Sequence, residues 1–93
     1  MEVGSIVALL VEKYNERPQI GRVKEVKRDM VRVEWYDGTW NGKWKIYKYW
    51  EGRRKVVWEE DLDKTNIVHK DICFTHDNRL DSKTKKELRI AYK

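Results

Sequence analysis

Cysteine, proline and long apolar runs are scarce in this chain of 93 residues, and each scarcity excludes something. Cys73 is the single cysteine, so no intrachain disulfide can form and a secreted disulfide scaffold is ruled out. Between Ile72 and Phe74, it is expected as a buried, inert thiol. The longest apolar run, Ile6 to Val11, is far too short to cross a bilayer as a helix. Met1-Glu2-Val3-Gly4 does not begin a signal peptide. Together these absences point to a soluble protein of a reducing compartment. No internal repeat, low-complexity stretch, phosphate-binding glycine loop or nucleophile elbow occurs. His69 and His76 stand among polar residues without an acidic pair at ligand spacing, so no metal, no cofactor and no catalysis are expected.

What the chain has in abundance is charge and large aromatic rings. Charged residues make up 40% of the sequence, as do hydrophobic ones, so one charged-surfaced folded unit is expected. Five Trp and five Tyr are more than a small core can hide, and some must face solvent or a ligand. The net charge of +5 is uneven. Lys and Arg outnumber Asp and Glu by six to five up to Asp29, by seven to six from Met30 to Leu62, and by eight to five beyond. The excess lies at the C-terminus rather than on a basic face of the folded part.

The first two thirds read as short strands. Val3 to Tyr14 is aliphatic and β-branched, and the only proline, Pro18, closes the turn that follows. Gln19 to Val26 alternates around Gly21, where a bulge or bend is expected. In Met30 to Tyr36, Val31, Val33 and Trp35 share one face, and Arg32, Glu34 and Tyr36 the other. Asp37-Gly38 ends that strand with turn chemistry. Lys43 to Trp50 alternates again, with Trp44, Ile46 and Trp50 as one ridge and Tyr47 and Tyr49 behind. Lys55 to Trp58 reads as a short strand with Trp58 in the core, and Glu59 to Leu62 as a helical turn. Ile67 to Phe74 is an extended segment, and Asp81 or Ser82 caps a helix over about Lys83 to Tyr92.

The expected architecture is mainly β, a small five-stranded antiparallel SH3-like barrel over residues 1–62. A C-terminal extension over 63–93 lays its helix on the barrel through Leu88 and Tyr92. A helical pattern still running at Lys93 suggests a monomeric domain of a larger protein.

Two constellations bear on function. Trp35-Tyr36-Asp37, followed by Trp40, places aromatic faces beside an acid, and Tyr14 can close the same barrel end. Those rings either wall a cation site, where faces and carboxylate attract a methylated ammonium, or simply pack the hairpin. Lys43, Lys45, Lys48, Arg53, Arg54 and Lys55 surround the exposed hairpin aromatics, an arrangement suited to nucleic acid, to a peptide groove or to plain solvation.

Val3 to Ala8, Ile20-Gly21-Arg22-Val23, Val31 to Gly38 and Val56 to Leu62 resemble the Tudor-like members of the SH3-like barrel superfamily of chromatin readers. The likeness covers roughly two thirds of the chain; the insertion from Thr39 to Lys55 departs from it. The resemblance implies a nuclear, non-catalytic reader of methylated lysine or arginine on a protein tail, such as a histone tail. Its cage would be Tyr14, Trp35, Tyr36, Asp37 and Trp40. The same barrel occurs in the DNA-binding C-terminal domains of integrases, which implies DNA or RNA as the alternative partner. A barrel recognising an unmodified protein is the third reading. No membrane partner is expected.

Overall fold

The computed structural model describes residues 2–11 and 17–92. Strands β1 (Ile6–Leu9), β2 (Gln19–Val26) and β3 (Met30–Asp37) form an antiparallel meander. β1 is apolar on both faces, Val7 and Leu9 on one and Ile6 and Ala8 on the other. Val7, Leu9, Val23, Val31 and Val33 point inward into one cluster, closed by the half-buried Trp35, Leu62 and Ile67. Ala8 and Ile20 point outward as a register pair.

Chain order continues with β4 (Lys45–Ile46), β5 (Lys48–Glu51), β6 (Arg54–Val57), β7 (Glu59–Asp63), a 3-10 turn (Lys64–Asn66), β8 (Ile67–His69) and helix α1 (Ser82–Ala91). Spatially the main sheet runs β8-β1-β2-β3, and β7 pairs along β3 from Met30 opposite Asp63 to Glu34 opposite Glu59. The 3-10 turn carries the chain from β7 to β8, with Asp63 accepting from the Thr65 N–H at 2.9 Å. β4 pairs with the end of β3, Ile46 opposite Tyr36, so the sheet has six strands rather than the five expected; the mainly-β antiparallel architecture with a short C-terminal helix is the expected one. β2 bulges between Val23 and Glu25 and not at Gly21, which pairs in register with Val7 and Trp35.

Several local expectations are corrected. Glu59 to Leu62 is strand, not helical turn: its run of acids hides an alternation in which Leu62 sits opposite Val31 and Glu60 opposite Val33. Arg54–Val57 does not join the barrel but pairs with β5 as a separate hairpin, Lys48 opposite Val57 and Trp50 opposite Lys55. Gly52, at φ +63°, supplies the left-handed residue of its tight turn. The Trp44–Trp50 ridge is broken at Tyr47, whose N–H donates to the Trp35 carbonyl at 2.8 Å. Trp44 is therefore 3% exposed and Trp50 66%.

A second core covers the outer face of β1 and β2. It joins Ala8 and Ile20 to Trp44, Ile72, Leu80, Leu88 and Tyr92. Trp44 stacks on Phe74, centroids 6.3 Å apart and planes at 14°, and Phe74 meets the Tyr36 ring edge at 5.1 Å. In this extended stretch Ile72 is buried, so Cys73 turns outward and is exposed, contrary to the buried thiol expected. Asp81 caps α1 by accepting from the Thr84 N–H at 2.7 Å. Tyr92 at the helix end donates its hydroxyl to the Leu9 carbonyl, with the Gln19 carbonyl 3.2 Å away. Burial pushes the Tyr92 phenol up to about 12.

Glu34, on the face of β3 opposite Val31 and Val33, is only 4% exposed. Arg22 and Lys24 pair with its carboxylate, which keeps a charge tolerable under the covering segment. Burial likewise raises the neighbouring Tyr36 phenol; Arg22 opposes the shift and Glu34 adds to it. Among the described residues no helix is long and apolar enough to cross a membrane.

Candidate functional site

Where the inner face of β3 runs out, the chain makes an open groove of about 330 Å3. Trp35 continues the Val31/Val33 face to the end of the barrel, and Glu60 continues the face of Leu62 on β7. The two meet there: the Trp35 indole N–H donates to Glu60 Oε1 at 3.2 Å. Trp58, just before β7, donates its own indole N–H to the same oxygen at 3.1 Å. The Trp35 N–H also donates to the Trp58 carbonyl at 3.1 Å, so both backbones and both rings are tied together. Tyr47 packs on Trp58 with centroids 6.5 Å apart, and Tyr49 meets the Trp58 ring edge-on at 5.5 Å. The walls are thus Trp35, Tyr36, Tyr47 and Trp58, with Val11, Gln19, Asp37, Glu60 and Arg17 completing the lining.

Charge at the mouth is arranged in pairs. Arg17 donates to the Gly38 carbonyl at 3.0 Å and to Asp37 Oδ1 at 3.5 Å. Asp37 therefore already has a cationic partner. Trp58, expected in the core, is 45% exposed, because the β5–β6 hairpin stands off the barrel and leaves one side of the ring open. Arrays of this kind bind by burying a partner's side chain against ring faces. Among the described residues no cluster of three or more His, Cys, Asp or Glu side chains could hold a metal.

Of the expected cage residues, the structure brings Trp35, Tyr36 and Asp37 together at one groove. Trp40 does not line it: the Trp40 ring lies on the second core under the Arg89 guanidinium, 4.7 Å from the ring centroid. Tyr14 lies outside the described residues. Sequence reasoning missed Tyr47, Trp58, Glu60 and Arg17 as groove residues. The signal for Glu60 was its i, i+2 relation to Trp58 and Leu62, visible only once residues 59–63 are taken as strand. Of the basic residues, Lys45, Lys48 and Lys55 gather at a neighbouring concavity. Lys43 instead bridges to Arg79, and Arg53 and Arg54 stand exposed at the hairpin tip.

Comparison with known proteins changes the family assignment. The model of the NIPBL cohesin loader C-terminal domain matches residues 1–93. Nipped-B-like protein of Mus musculus is 34% identical over 92 residues, covering 99% of this chain and 3% of that protein. The Homo sapiens protein of the same name is 33% identical over 92 residues, with the same coverage. Nipped-B-like protein A of Danio rerio is 34% identical over 87 residues, covering 94% of this chain and 4% of that one. The chain thus spans a few hundredths of the length of these relatives. No solved structure matches it. The resemblance to Tudor-like readers is overturned by these matches, which run through the insertion and the C-terminal extension that the Tudor pattern leaves out. With it fall the methyl-lysine cage and the alternative of a DNA- or RNA-binding barrel of the integrase type. Matched along its whole length, the chain belongs to the family of the NIPBL cohesin loader C-terminal domain.

Proposed function

We propose that this chain is a non-catalytic protein-interaction domain within a larger nuclear cohesin loader, and that its aromatic groove docks an extended segment of a partner protein. One observation carries the reading: two indoles, one from β3 and one from the junction of β6 and β7, are fixed by a single carboxylate oxygen of Glu60. Rings held in this way lose little further freedom when a ligand arrives, which lowers the entropic cost of binding. The groove is open along its length and lined by four aromatic rings, a shape that suits an extended chain presenting an apolar or proline side chain. The family description supports a place in cohesin loading, and hence in the nucleus, for the protein that carries this domain.

The test is an array of 15-residue peptides tiled across the cohesin subunits, probed with the chain and with Trp58→Ala and Glu60→Leu variants. Discrete peptides are expected to bind the native chain, and both variants to lose at least tenfold in affinity while keeping a folded amide spectrum. Discrete peptides bound equally well by all three proteins would place the interaction elsewhere and sink the reading.

A further inference from the structure

Next to the aromatic groove, and sharing Tyr47 and Asp37 with it, lies a second concavity of about 380 Å3 lined by Lys45, Ile46, Lys48 and Lys55. Some other cations of the described residues hold carboxylates, whereas Lys55 lies over the Trp50 ring, 5.4 Å from its centroid. Arg22 and Lys24 pair with Glu34, Lys27 and Arg32 with Asp61, and Arg79 with Asp77. Among the described residues no carboxylate lies within ion-pair distance of Lys45, Lys48 or Lys55. Asp37, the one acid in the concavity, is turned to Arg17. The register explains the crowding. Lys48 faces Val57 and Lys55 faces Trp50, so the two lysines are diagonal neighbours on one hairpin face, and Lys45 joins them from β4. Like charges at such spacing repel and are relieved by an anion between them. Over the two joined concavities, four cations stand against two carboxylates, both already engaged.

We infer that this lysine-lined concavity is an anion subsite, and that the segment docked in the groove is acidic. Resting on the reading of the groove as a peptide site, the assignment gives the partner a definite chemistry. An extended peptide seats one apolar side chain among Trp35, Tyr47 and Trp58 and lays Asp or Glu carboxylates on Lys45, Lys48 and Lys55. At about 3.3 Å of rise per residue, adjoining sites place those carboxylates within about three residues of the apolar anchor. Because the lysines are exposed, each contact is weak and screened by salt, and removing one lysine weakens binding by about two- to fivefold.

The experiment is a selection of randomised displayed dodecapeptides on the immobilised 93-residue chain. It is repeated on the Lys45→Ala/Lys48→Ala/Lys55→Ala variant and on Trp58→Ala, all confirmed as folded by circular dichroism. The native chain is expected to enrich peptides with Asp or Glu within three residues of an apolar anchor. The triple variant is expected to keep the anchor but lose the acidic bias, with affinity for the selected peptides down about tenfold or more. Enriched anchors without acidic bias on the native chain would overturn the anion subsite and leave the groove reading standing. No enrichment on the native chain beyond that on Trp58→Ala would overturn both. If a 12-nucleotide single-stranded DNA displaces an enriched acidic peptide at equal concentration, the subsite takes phosphodiesters and the assignment to an acidic protein segment is wrong.

Discussion

Gly38 ends β3 where Trp44 lies across the chain, and the space there leaves no room for a side chain. A Cβ built at Gly38 would stand 2.3 Å from Cδ2 of the Trp44 ring, with two more ring atoms inside 2.8 Å. Carbon atoms in contact prefer about 3.5–4.0 Å, so Gly38→Ala demands a relative shift of more than about 1 Å. Trp44 cannot supply it cheaply. It is buried in the second core against Phe74, and its N–H donates to the Asn78 carbonyl at 2.6 Å. Overpacking of this kind costs about 1–3 kcal/mol, a sizeable part of the roughly 5–15 kcal/mol that holds a small domain folded. Urea unfolding followed by circular dichroism should show that loss, with a fall in Tm of about 4–8 °C per kcal/mol. Gly42→Ala is the control: its Cβ would meet the hydroxyl oxygen of the exposed Thr39, which can rotate away. In the Gly38→Ala background, Trp44→Leu should cost less than it does alone, because it removes the clash along with the ring. Gly38→Ala within about 0.5 kcal/mol of the native chain, or no milder than Gly42→Ala, would refute the reasoning.

Glu60→Leu removes the acceptor of two indole N–H groups and should cost about 1–3 kcal/mol, whereas Glu60→Gln keeps an acceptor and should cost less. The indole cross-peaks of Trp35 and Trp58 in a 15N correlation spectrum report the change, and the other three Trp signals should barely move. Stability should fall as pH rises from about 10 to about 12. The folded chain holds the Tyr92 phenol neutral up to about 12, so the unfolded chain, whose phenol ionises at its ordinary value, is favoured progressively across that window. Tyr36, also raised, acts in the same direction, so unfolding midpoints measured from pH 9 to 11.5 should drop less steeply in Tyr92→Phe without becoming flat. Asp81→Ala removes the cap on the Thr84 N–H and should cost about 1 kcal/mol, read as a lower urea midpoint with an unchanged slope.

The strands that the sequence made legible are those in which one face is uniformly apolar. Val31, Val33 and Trp35 announced β3 by period alone, and Asp81 announced the start of α1. Less legible was what covers the other face. Alternation separates residues into two sets but says neither that Glu34 in the second set is buried nor which way Cys73 turns. β7 was hidden because four of its five residues are acidic, a composition that strands disfavour. It forms because the half-buried Leu62 packs opposite Val31 and because Arg32 and Lys27 offset Asp61 and Glu59. Half of the groove was visible in Trp35-Tyr36-Asp37. The other half was not, because Tyr47 and Trp58 are brought to Trp35 by backbone hydrogen bonds across 12 and 23 positions of the chain, which no local pattern encodes. The family was illegible for a related reason. The Tudor-like pattern rests on the barrel strands, whereas the family match runs on through the covering segment and helix.

The hydroxyl of Tyr92 meets the carbonyl of Leu9 across 83 positions of the chain. During synthesis the ribosome releases Ala8 and Ile20 long before the residues that shelter them, Leu80, Leu88 and Tyr92. At about 5–20 residues per second, that outward apolar patch stays bare for several seconds. A nascent chain therefore passes through a barrel-first interval, open to chaperones or to unwanted partners, and it ends only when the last turn of α1 clears the exit tunnel. A chain cut between Ile67 and Leu88 would keep the residues of its inner core and lack those that cover the outer one, a natural substrate for cellular quality control.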